Sequence, residues 1–68
     1  MSYLKEDEAM LVKSINTRRY TVTLIEMKEP GYRVCWHCGN EEFESKVITD
    51  LSIATQVFDD FLTMLEGH

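Results

Sequence analysis

Residues 32–47, YRVCWHCGNEEFESKV, alternate apolar and polar side chains on both sides of Gly39-Asn40. Alternation with a period of two marks half-buried strands, and Gly followed by Asn at the centre of a two-residue loop suits a type II′ hairpin turn. No other stretch constrains the fold as tightly, because turn and pattern together fix the register. Trp36 is expected opposite Phe43, Val34 opposite Ser45 and Tyr32 opposite Val47, all on one face. His37 then faces Glu42, and Cys35 faces Glu44, on the other.

The flanking sequence supplies more strands and a helix. Residues 19–28, RYTVTLIEMK, read as a strand with a phase change. Tyr20, Val22 and Leu24 alternate in one phase, Ile25 and Met27 in the other, and a bulge near Leu24-Ile25 would turn both sets toward one core. Pro30-Gly31 marks the next turn. Residues 51–66, LSIATQVFDDFLTMLE, place Ala54, Val57, Phe58, Phe61, Leu62 and Leu65 on one helical stripe, with Gln56, Asp59, Asp60 and Thr63 opposite. Asp50 or Ser52 can cap the start of that helix, and Gly67 can end it. SYLKEDEAMLVKSI suits either a helix or, over MLVKSI, a strand beside residues 19–25; its Leu, Lys, Glu and Ala favour the helix. The expected fold is α+β: a three- or four-stranded antiparallel β-meander with a carboxy-terminal amphipathic helix packed on one face. Residues 1–68 form one small domain, with 1–9 frayed or a short helix.

Sixty-eight residues bury a thin core, so a metal, a disulfide or a second copy would add needed stability. A hydrophobic content of 44% with 28% charged residues belongs to a folded chain and not a disordered one. No apolar run approaches the roughly 20 residues that span a bilayer, and Met1 opens onto acidic residues instead of a signal peptide, so a cytoplasmic location is expected. The net charge of −5 disfavours nucleic acid, whose binders carry basic patches. It suits a basic partner instead.

VCWHCG resembles, over these six residues, one knuckle of a zinc ribbon or rubredoxin, in which a CxxCG hairpin gives two of four thiolates. That resemblance implies zinc on Cys35 and Cys38, shared between two chains because no second pair of cysteines follows. The hairpin itself implies the reverse. Residues three apart on a strand point to opposite faces, which leaves Cys35 on the polar side and Cys38 on the core side, with no metal and no cofactor. A thioredoxin-type redox role lacks the helix that should follow the motif. Cys35, His37, Glu42 and Glu44 have the residue types of a ligand set or of a nucleophile with its base, but an open sheet face offers no pocket. Tyr20, Tyr32 and Trp36 could stack single-stranded bases, and a four-strand meander plus helix is similar in topology to single-stranded-DNA coactivators. These aromatics also form the apolar face that the helix must cover.

The expected function is that of a small non-enzymatic interaction or regulatory module, a homodimer binding a protein partner. The alternatives are a zinc-bridged dimer through Cys35 and Cys38, and a single-stranded nucleic-acid-binding module. The candidate partner surface is Thr21, Thr23, Arg33, His37, Glu42, Glu44 and Lys46 on the uncovered face, and self-association is expected along a free outer edge of the strand at residues 20–28.

Overall fold

The computed structural model describes residues 9–28 and 30–67. Four antiparallel strands lie in the order of the chain: β1 (Ala9–Asn16), β2 (Tyr20–Met27), β3 (Tyr32–Cys38) and β4 (Glu41–Glu44). One helix, α1 (Leu51–Glu66), follows and packs on β2 and β3. The expected α+β meander with a carboxy-terminal helix is thus the fold, with four strands. Of residues 1–9, expected frayed or a short helix, Ala9 instead opens β1 and residues 1–8 lie outside the described residues.

The β3–β4 hairpin has the register that its sequence dictates. Cys38 pairs with Glu41, His37 with Glu42, Trp36 with Phe43 and Cys35 with Glu44. Gly39 has φ +62° and no described non-glycine residue has a positive φ, the pattern of a type II′ turn with glycine first. Beyond Glu44 the pairing slips. Ser45 still donates its N–H to the Val34 carbonyl (2.8 Å), but its hydroxyl, not its carbonyl, receives the Val34 N–H (3.0 Å). With the main chain released in this way, Tyr32 bridges Ile48 and not the expected Val47. Ile48 therefore joins the core, and Val47 is 47% exposed.

Three other expectations are corrected. MLVKSI is part of β1 and not of a helix. Its pairing with β2, which sets Ile15 beside Val22 and Lys13 beside Leu24, outweighs the helical preference of Leu, Lys and Ala. With β1 in place, β2 is hydrogen-bonded on both sides, so its edge is not free; the outer strands are β1 and β4. The irregularity expected at Leu24-Ile25 does occur at that step, but in the partner strand. Leu11 pairs with Ile25 and Lys13 with Leu24, leaving Val12 as the extra residue. A bulge in an outer strand disturbs one ladder, whereas the same bulge in β2 would disturb two. β2 accordingly stays regular, and Ile25 and Met27 point away from the helix with Thr21 and Thr23.

The core forms between β2, β3 and the helix. Val22, Leu24, Val34, Ala54, Phe58 and Leu65 are buried, and Tyr20 is only 7% exposed. Asp50 caps α1, its carboxylate accepting the Ser52 N–H at 2.8 Å. The helix ends at Gly67, whose N–H donates to the Thr63 carbonyl at 3.0 Å. There burial first, and then the Glu66 carboxylate, push the Tyr20 phenol's pKa up against the opposing pull of Arg19. Trp36 stacks on Phe43 (centroids 6.0 Å apart), and both rings meet Phe61 edge-on at 6.3 and 5.2 Å. β4 extends past the helix, so Phe43 remains 44% exposed despite facing the core side.

Candidate functional site

The uncovered face of the sheet is built in rows by the strand register. Asn16, Thr21, His37 and Glu42 form one row across the four strands, and Ser14, Thr23, Cys35 and Glu44 the next. Thr21 donates its hydroxyl to the Asn16 side-chain oxygen at 2.9 Å. Between the rows is a shallow depression of about 370 Å³ whose lining includes Thr21, Thr23, Cys35, His37, Glu42 and Glu44. Arg33 borders it. Its guanidinium donates to the Glu44 carboxylate at 3.0 Å while its Nε is buried without a partner among the described residues. A second depression of about 340 Å³ adjoins the first at Thr21 and His37 and runs toward Arg18 and Arg19 in the β1–β2 turn.

Five of the surface residues expected from the sequence, Thr21, Thr23, His37, Glu42 and Glu44, therefore meet in one concavity. Arg33 reaches it through its ion pair. Lys46 does not, because β4 ends at Glu44 and Lys46 lies in the exposed segment beyond it. Asn16 and Ser14 escaped notice because their membership of the surface depends on β1 being a strand.

Cys35 and Cys38 are both free thiols, and the sheet separates them. Cys35 lines the depression, whereas Cys38 packs against the core on the helix side. One metal could take both sulfurs only if the hairpin lost its register. Among the described residues, no group of three or more His, Cys, Asp or Glu side chains is placed to hold a metal ion. Burial first, and then the Glu44 carboxylate, raises the Cys35 thiol above its ordinary pKa, with Arg33 pulling in the opposite direction. A nucleophilic cysteine needs the opposite shift. Tyr20, Tyr32 and Trp36 all lie on the helix side, packed in or against the core, so they offer no stacking platform on the uncovered face.

The uncovered face thus presents hydroxyls, an imidazole and two carboxylates around a hollow open to solvent. Among the described residues no helix is long and apolar enough to cross a membrane. Comparison of the chain with protein-family models, curated proteins and solved structures finds no match.

Proposed function

We propose that this chain is a small non-enzymatic interaction module, working as a homodimer, that binds a basic segment of a protein partner on its uncovered sheet face. A cytoplasmic setting fits its free thiols. The observation that carries the reading is the concavity itself. It gathers Thr21, Thr23, His37, Glu42 and Glu44 around one hollow, with the two carboxylates on the β4 side. Arg33 pairs with Glu44, and Glu42 has no ion pair among the described residues, in a chain of net charge −5. A lysine or arginine entering the hollow gains a carboxylate partner, and the threonines and His37 add hydrogen-bonding groups. The raised Cys35 pKa favours binding over thiolate chemistry.

The test uses a short lysine- and arginine-rich peptide as probe. Neutralising the hollow with Glu42→Gln and Glu44→Gln together should weaken its binding by about tenfold, on the order of one lost charge-assisted hydrogen bond. Asp59→Asn with Asp60→Asn, which removes equal charge from the far side of the helix, should change it little. Equal losses from the two pairs would mean general attraction to an acidic protein and not a site.

A further inference from the structure

The sheet has two outer strands, and they differ in almost every respect that governs pairing. β4 has four residues, Glu41-Glu42-Phe43-Glu44, and so carries three carboxylates. Laid antiparallel against its own copy over these four residues, it would oppose Glu41 to Glu44 at both ends. Short length and charge are the usual guards of an exposed edge. β1 has eight residues and one charge, Lys13, whose ammonium sits 4.9 Å from the centre of the Phe58 ring on the helix side. Met10, Leu11 and Val12 on this strand are 66%, 61% and 44% exposed.

These apolar residues are consecutive, so they do not lie on one face. Neighbours on a strand point to opposite sides of the sheet. A helix or loop laid on either face would cover only part of the set. A strand added alongside, with its own side chains on both faces, covers all of it.

We propose that the occupant of this edge is β1 of a second copy, running antiparallel about a twofold axis near Leu11. Such a contact is self-complementary by symmetry. Leu11 then meets the partner's Leu11, Met10 meets the partner's Val12, and Lys13 falls opposite the partner's Ala9, so the two ammonium groups are not opposed. The bulge at Val12 bends the edge and confines the pairing to the stretch around Leu11. This assignment rests on the homodimer reading above, to which it adds the surface and the register, and it is independent of the acidic hollow.

Sedimentation at micromolar concentration, with circular dichroism to check the fold, separates the outcomes. Wild-type protein should be a dimer. Leu11→Arg, at a site already exposed, should keep the fold and raise the dimer dissociation constant at least tenfold, as a charge at an interface centre does. Ile53→Arg on the outer flank of the helix should leave the dimer as it is. As a second variant, Leu11→Cys with Cys35→Ser and Cys38→Ala should form a disulfide-linked dimer on oxidation. Directly opposed residues in an antiparallel pair have Cα atoms about 4.5–5.5 Å apart, within disulfide reach. A dimer that survives Leu11→Arg unchanged and fails to cross-link would overturn the β1 assignment while leaving self-association standing. A wild-type monomer at every concentration would overturn both.

Discussion

Cys35 lies between Thr23 and Glu44 on the uncovered face, while Cys38, three residues on, lies beneath the helix. Their spacing looks like a zinc knuckle only when the backbone is ignored. In an extended strand residues three apart are roughly 10 Å apart, whereas a disulfide needs Cα atoms within about 7 Å. The purified protein should therefore hold no stoichiometric zinc, and a chelator should leave its melting temperature unchanged. Zinc at one ion per two chains, lost along with the fold on chelation, would reverse the assignment. Cys35 supplies a second test through its surroundings. Glu44 helps to keep the thiol protonated, so Glu44→Gln should lower its pKa and speed its alkylation at mildly alkaline pH. The folded-state pKa is the higher one, so the contribution of this thiol to stability is fully present below the unfolded pKa and declines as pH rises toward the folded value. In Glu44→Gln that decline should shrink. Mass spectrometry of the labelled peptides, in a Cys38→Ala background, gives the rate for Cys35 alone; no acceleration would mean that Glu44 does not act on it.

Among the elements, the β3–β4 hairpin was legible in the sequence because two independent signals agreed, alternation and turn chemistry. The helix was legible for a similar reason, an apolar stripe that starts next to a capping Asp50. The rest depended on distant partners. β1 is a strand because β2 is beside it, and nothing within residues 9–16 overrides their mixed local preferences. The bulge was placed at the right step but in the wrong strand, since only the sheet order reveals which strand has one neighbour. The slip after Glu44 turns on one hydroxyl, that of Ser45, standing in for a backbone acceptor. Of the site, the polar row on β2, β3 and β4 followed from the hairpin register, while the contribution of β1 and the exclusion of Lys46 did not. The turn before β3 yields a prediction at this scale. Gly31 has φ +148°, and a methyl group added there would collide with Val47 Cγ1; Gly39, at φ +62°, faces open space. Gly39→Ala should cost about 1–2 kcal/mol from conformation alone. Gly31→Ala should cost about 3 kcal/mol or more, since crowding adds to the backbone strain. Urea denaturation of the two variants measures the difference, and equal losses would mean that Val47 yields freely.

At the level of the whole molecule, one helix covers one face of a four-stranded sheet and, among the described residues, nothing covers the other face or the edges of the two outer strands. Charge distinguishes those surfaces, and the two proposed roles follow it. The uncharged run on β1 suits a second copy, and the acidic hollow on the uncovered face suits a basic partner. These surfaces do not overlap, so the dimer would present two hollows, and neither interface requires the other. The most direct measurement is a nuclear magnetic resonance titration of isotope-labelled protein with the lysine- and arginine-rich peptide, beside an acidic peptide of equal length. The backbone amides of Thr21, Thr23, Cys35, His37, Glu42 and Glu44 should shift with the basic peptide, less so as salt is raised, and should not shift with the acidic one. Shifts confined to the helix, or the same shifts with both peptides, would contradict the assignment of the uncovered face as the binding surface.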